Sequence, residues 1–351
     1  MLHLEPGHRI MAEALAARIH APPDRREAVD VRCSDFGVQY YLCVPPEQQN
    51  VLKLSVWVRC FAEVVEGVGE AFFAEQLYPG MVQPPEPGYS LTLALDLDAL
   101  PPEEEARNEL VRKLSCVGRD VLGAPLRVVL LALLGGAAPP RPYYAVHHRE
   151  GEAMYVVPKD DVVIVVFGIA FASPVEAAIA KAFLHEIEIS RRQSRDLATA
   201  PTVSYTHEPP LELKQLDGVR PLQGAGFVGH VSLALSKRNV EGGRLEKVLA
   251  LVVGYRNYLM FHVMGAKSQL HTRIRSRSSN WLQAPRQRLA APSPPPHAAS
   301  RHCRRVSAPH IAAAGRGVRR RPVAQVLNRA MPEKLDKEKK TITGRTFRKG
   351  P

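Results

Sequence analysis

The chain has 351 residues, 45% of them hydrophobic and 23% charged, with a formal net charge of +12. That length gives a prior of two domains with a buried core in each, and the apolar content and charge are those expected of a soluble globular protein. The charge does not describe a basic body: nine cations are Arg between positions 284 and 325, and 12 less 9 leaves +3 for the other 309 residues.

Five cysteines (Cys33, Cys43, Cys60, Cys116, Cys303) form no CxxC pair, and the start has no signal-peptide pattern. Reduced thiols in a cytosolic protein are therefore expected. The longest uncharged apolar run, 128–140, is too short and too rich in Gly and Pro for a membrane span.

In chain order, a short helix is predicted near 10–19, then strands at 28–33 and 38–44. VLKLSVWV, Val51–Val58, alternates apolar and polar residues as a half-buried strand does. It runs into a predicted helix at 60–77, stopped by Tyr78-Pro79-Gly80. Residues 84–88 read as a loop and 89–97 as a strand. Pro101-Pro102-Glu103-Glu104-Glu105 opens another helix, with Pro and acids where a helix N-terminus favours them.

The second half repeats this order, with strands at 143–148, 153–157 and 162–167. Ser173-Pro174-Val175-Glu176 is a capping box, and its helix is predicted to bury Val175, Ala178, Ile179, Ala182, Phe183 and Ile187. Strands follow at 202–206 and 230–235, and a long helix begins near Gly243. The expected fold is α+β: two similar domains, each an antiparallel sheet packed against helices, plus a long C-terminal helix interrupted by an inserted disordered segment. The expected boundaries are 1–134 for the first domain, 135–142 for a linker, and 143–283 for the second domain with its long helix.

Along that helix Leu245, Val248, Val252, Tyr255, Leu259, Val263, Ala266, Leu270, Ile274 and Trp281 recur three or four apart, with Arg277 in one slot. Such spacing draws one apolar stripe. The 42 residues 284–325 hold nine Arg, seven Pro, no Lys and no acid, and internal prolines oppose a helix. Joining Gln283 to Val326 puts Leu327 four residues after Trp281 and continues the stripe. The segment therefore reads as an inserted disordered stretch, as a translated intron would be, with 326–351 supplying the helix end and a basic tail. The helix exceeds the diameter of one small domain, so its stripe either folds over the chain's own sheet or, the favoured reading for its outer half, is covered by a partner helix.

Candidate chemistry is sparse. Gly224-Ala225-Gly226-Phe227-Val228-Gly229 has dinucleotide-fingerprint spacing, but a loop precedes it and a strand follows, the reverse of what phosphate cradling needs. His297, His302, Cys303 and His310 fit no common zinc spacing. His147, His148 and His262 show no acid partner at suggestive spacing. No nucleophile triad or paired-carboxylate pattern stands out, so no catalytic residue, cofactor or metal is expected.

Basic clusters remain. Arg191, Arg192 and Arg195 end a helix, where cations oppose the macrodipole. Lys267, Arg273, Arg275 and Arg277 flank the outer stripe, either as a solvated face or as a docking surface for an acidic partner such as an actin filament or phospholipid. Arg319-Arg320-Arg321 supports a second reading, a basic nucleic-acid-binding protein acting through the Arg-rich segment.

Several stretches together resemble one family. Arg149-Glu150-Gly151-Glu152-Ala153-Met154-Tyr155-Val156, Thr199-Ala200-Pro201 and His207-Glu208-Pro209-Pro210-Leu211-Glu212-Leu213-Lys214 are similar to the second domain of actin-related protein 2/3 complex subunit 2. His271-Thr272-Arg273-Ile274-Arg275, Val326-Leu327-Asn328-Arg329-Ala330 and Lys339-Lys340-Thr341-Ile342-Thr343-Gly344-Arg345-Thr346-Phe347 extend the resemblance; Gly88-Tyr89, Asp96-Leu97 and Leu100-Pro101 fit more loosely. It covers nearly the whole chain except 284–325. The resemblance implies a non-catalytic scaffold and actin-filament-binding subunit that supports branched actin nucleation in the cytoplasm, with ATP belonging to the actin-related proteins. Its implied partners are subunit 4, the other subunits and the side of the mother filament. Filament-contact candidates are Lys267, Arg273, Arg275, Arg277, Arg191 and Arg192. Candidates for the subunit interface are Leu259, Val263, Ala266, Leu270, Ile274, Trp281 and Leu327.

Overall fold

The computed structural model describes residues 7–290 except Glu27, Phe36, 194–199, Gly218, Arg220, Pro221, Gln223 and Ala225, with backbone alone for Asp24, Arg192 and 283–290. Period-two runs form two antiparallel sheets. The first contains β1 (Asp30–Asp35), β2 (Val38–Cys43), β3 (Val51–Val58), β4 (Val82–Gln83) and β5 (Leu91–Asp96), in the order β1-β2-β3-β5-β4. The second contains β6 (Tyr144–Arg149), β7 (Glu152–Lys159), β8 (Val162–Ala170), β9 (Thr202–Thr206) and β10 (Phe227–Ser236), in the order β6-β7-β8-β10-β9. The strand order is the same in both, so the shared grammar of the two halves is a structural repeat. Leu52, Leu54, Val56 and Val58 of β3 lie on one face of the pleat and are buried, with Leu54 opposite Leu42 and Leu93.

The helices repeat as well. After its third strand each half has a helix, α2 (Phe61–Val68) or α5 (Pro174–Gln193), and after its fifth a longer one, α4 (Val117–Gly135) or α8 (Leu245–Ala290). α2 packs on α4, α5 on α8, and α4 on α8. α1 (Arg9–Ile19) packs on α3 (Glu104–Ser115), and two short helices, α6 (Leu211–Lys214) and α7 (Lys237–Val240), complete the set. One continuous apolar core runs through both halves.

The helix expected over 60–77 is broken. α2 stops at Val68 because Gly69 takes φ +87°, and a π-helical turn, Phe72–Leu77, follows. That backbone conformation is open to glycine and strained for other residues. The break turns Phe72, Phe73 and Leu77 into the core.

α4 is not among the predicted elements, because it overlaps the 128–140 run, which is apolar and rich in Gly and Pro. It is a helix buried on most sides, with Val117, Val121, Ala124, Leu126 and Leu130 inaccessible, and it ends where Gly136 adopts φ +66°. Apolar residues on most of its surface suit a buried helix, with Arg119, Asp120 and Arg127 held in ion pairs. Gly123 sits at the crossing with α8, where a Cβ would approach Val253 Cγ2 to 3.1 Å.

α5 is rotated from its expected face. Ala177, Ala180 and Leu184 are buried, Ile179, Phe183 and Ile187 half-buried, and Val175, Ala178 and Ala182 exposed. The helix is wedged between β9, β10 and α8, and small Ala177 and Ala180 let it come close. The difference is about one residue, ~100° of rotation.

Two ion-pair groups fix α8. Arg127 Nη2 donates to Glu246 Oε2 at 2.9 Å, and Arg119 Nη2 bridges Asp120 (2.6 Å) and Glu246 (3.2 Å), while Tyr78 Oη donates to Asp120 Oδ2 at 2.9 Å. Burial alone would raise the Glu246 carboxyl, but the hydrogen bonds and charges of Arg127 and Arg119 bring it below its ordinary value. In the second half, Arg256 Nε donates to Glu152 Oε1 at 2.7 Å with the two residues 6% and 2% exposed. Arg256 Nη2 also donates to the Ala170 carbonyl (3.1 Å), and Ala170 N to Glu152 Oε1 (3.0 Å), which ties α8 to the C-terminal end of β8.

The helix does not stop at Gln283. It continues to Ala290 through Pro285, so the first seven residues of the proposed insertion are helical. A single proline costs one backbone donor, and Arg286, Gln287, Arg288, Leu289 and Ala290 are good helix formers. Residues 291–325, the expected disordered stretch, lie outside the described residues, as do Leu327 and the tail.

Candidate interaction surface

α8 has 46 residues and is about 69 Å long at 1.5 Å per residue. Its inner half belongs to the core: Val248, Leu249, Val252, Leu259 and Val263 are buried, and Tyr255 packs its ring 5.3 Å from that of Phe167. The stretch Leu245–Leu282 is long and apolar enough, by length and composition, to cross a membrane. Its inner apolar residues divide: Val248, Leu249, Val252, Leu259 and Val263 lie in the protein core, while Leu251, Tyr258, Phe261 and Met264 are exposed.

The outer half is different. Lys267 Nζ pairs with Glu176 Oε1 at 2.7 Å, and from 268 to 282 every residue is exposed. Leu270 (43%), Ile274 (54%) and Trp281 (76%) continue the line of Val263 within about 20° at 100° per residue, and Leu282 is exposed beside them. Fully burying each such side chain is worth about 1.5–3 kcal/mol, and an isolated helix of this length is marginal in water. Such a row is a candidate interaction surface.

The charges sort with the stripe. Between 264 and 290 there are six Lys or Arg and no acid. On the helical projection Arg273 and Arg277 lie on one side of the apolar line and Lys267 and Arg275 on the other, while Ser268, Thr272, Ser276 and Ser279 occupy the back. The surface is an apolar seam bordered by cations.

The individual candidates divide accordingly. Leu259 and Val263 are covered by the chain itself, which leaves Ala266, Leu270, Ile274 and Trp281 accessible to a partner. Lys267 is held by Glu176, and Arg191 donates to the carbonyls of Ala200 (3.2 Å) and Pro201 (3.3 Å), so both have structural work inside the fold. Arg273, Arg275 and Arg277 are exposed and have no acidic partner among the described residues. The Arg192 side chain and Arg195 lie outside the described residues.

Other candidates resolve structurally. β10 begins at Phe227, inside the glycine-rich 224–229 stretch, and Gly226 is required because a Cβ would lie 2.0 Å from the Phe171 carbonyl oxygen. His297, His302, Cys303 and His310 lie outside the described residues. His147 and His148 do have acid neighbours: Glu63 accepts from His147 N (2.8 Å) and lies 3.1 Å from its Nδ1, and Glu152 Oε2 is 3.8 Å from His148 Nε2. Glu63 is too far off in sequence for spacing to reveal it.

Comparison with known families matches residues 54–287 to the model described as Arp2/3 complex, 34 kD subunit p34-Arc. The chain is 26% identical to actin-related protein 2/3 complex subunit 2 of Schizosaccharomyces pombe, over 99% of each chain. It is 29% identical to actin-related protein 2/3 complex subunit 2A of Arabidopsis thaliana, over 81% of this chain and 90% of that one.

Proposed function

Because the chain belongs to the p34-Arc family, the 34 kD subunit of the Arp2/3 complex, we propose that it is a non-catalytic scaffold whose outer α8 pairs with subunit 4 and whose basic border meets the side of an actin filament. Membership gives it a place in the Arp2/3 complex and hence in the actin cytoskeleton; the pairing, the filament contact and the cytoplasmic setting are our reading. The observation that carries it is the exposed helix at 268–282, with Leu270, Ile274 and Trp281 in line between cations. An apolar seam with charged flanks is the pattern by which two long helices pair. The filament reading rests on Arg273, Arg275 and Arg277, the exposed members of the candidate set. The wide span of the similarity to the yeast protein supports treating 326–351 as part of the same subunit.

Reversing Arg273, Arg275 and Arg277 to Glu in the assembled complex tests the filament half. Co-sedimentation with actin filaments is expected to weaken while the complex stays intact; unchanged co-sedimentation removes these residues from the contact.

A further inference from the structure

A cleft of about 390 Å³ opens where the two halves meet, walled by α1, β1, β2, α4, three strands of the second sheet and α8. That volume falls within the range of about 300–1,000 Å³ typical of small-molecule sites. Its inner wall is apolar, with Val38, Leu122, Val146, Met154, Phe167 and Val253. Its polar lining holds four arginines (Arg9, Arg119, Arg149, Arg256) and the carboxylate of Asp35, with Glu13, Asp120, Glu246 and Glu152, outside the lining, paired to Arg9, Arg119 and Arg256.

Arg256 is the centre of this lining. Its Nε and Nη2 are used by Glu152 and the Ala170 carbonyl, and its guanidinium lies 4.4 Å over the Phe171 ring. Its Nη1 is buried with no hydrogen-bond partner among the described residues, as is Oε2 of Glu152 beside it. A buried donor left unpaired is costly, and a guanidinium has five N–H groups to place. Arg149 donates to Asn257 Oδ1 (3.3 Å) beside it, and burial together with the charge of Arg256 pushes the Arg149 guanidinium below its ordinary value. Burial likewise pushes His148, on the rim, below its ordinary value against the charge of Glu152.

We propose that this cleft binds an amphipathic organic anion, a carboxylate or phosphate on a small apolar body. The anionic head meets Arg149 and Arg256, and the body lies on Val38, Met154 and Phe167. Two adjacent cations and an unfilled donor favour an anion; the apolar wall selects against a bare inorganic one. A ligand here touches elements of both halves and so stiffens their junction. The site is independent of the outer α8 surface.

The test is calorimetric titration of the assembled complex with hexanoate and phenyl phosphate, with inorganic phosphate and hexanol as controls. Saturable binding of at least one organic anion is expected, with both controls weaker by at least about tenfold, the scale of one charge-assisted contact or of a buried apolar body. Arg149→Ala is expected to weaken it about tenfold to a hundredfold, and the milder Asn257→Ala by less, with assembly unchanged. No saturable binding of either anion, equal binding of a control, or full affinity in Arg149→Ala overturns the proposal. Loss of pairing with subunit 4, by contrast, bears only on the function proposed for α8.

Discussion

Glu152 and Arg256 illustrate what a single residue decides in this fold. Removing one member of a buried pair leaves the other charge without compensation, at a cost of about 3–5 kcal/mol. Glu152→Ala is therefore expected to lower the unfolding free energy from denaturant titration by that much, and a loss below about 1 kcal/mol would deny the pair its structural role. His148 and His230 act through pH. Burial pushes both imidazoles below their ordinary value, so each binds its proton more readily unfolded than folded. Stability then rises with pH: the contribution is complete above about pH 6.5 and is lost as the pH falls below it. Urea midpoints measured between about pH 8 and pH 5.5 are expected to fall on the acid side, and a flat profile would contradict the assignment. Such pairings were hidden in the sequence. Glu63 with His147 and Glu152 with Arg256 join residues 84 and 104 positions apart, which no spacing rule reaches.

At the scale of elements, the strands were legible because alternation in VLKLSVWV and its neighbours reports directly which residues face the helices. α4 was not, because a helix enclosed by others loses its polar stripe and with it the periodic signal. α5 was found but turned by one position, since two neighbours rather than one cover it. The crossing of α4 and α8 depends on Gly123, so Gly123→Leu is expected to force them apart at a cost of about 1–3 kcal/mol, read from the unfolding midpoint. The outer stripe of α8 was legible residue by residue, but its division into a covered and an exposed part was not. In the chain without partners, amides over 268–282 are expected to exchange rapidly with solvent and to become protected in the assembled complex. Equal protection in both states would mean that this helix needs no partner.

The whole molecule is a duplicated arrangement of sheet and helices whose second long helix runs past its own body. The first half ends its corresponding helix after 19 residues, whereas α8 has 46, and that excess is the surface we propose for a partner. The Arg-rich stretch that dominates the net charge lies beyond the part of α8 that meets the core. We expect a variant lacking 284–325 to assemble as well as the full chain, read by co-purification of the complex; loss of assembly would make the stretch part of the interface. The most direct measurement is co-expression of the full chain with subunit 4, comparing wild type with Ile274→Asp by size-exclusion chromatography and circular dichroism. Wild type is expected to elute as a stable pair and Ile274→Asp to fold normally yet fail to pair. An Ile274→Asp chain that pairs as well as wild type would contradict docking through the outer seam of α8.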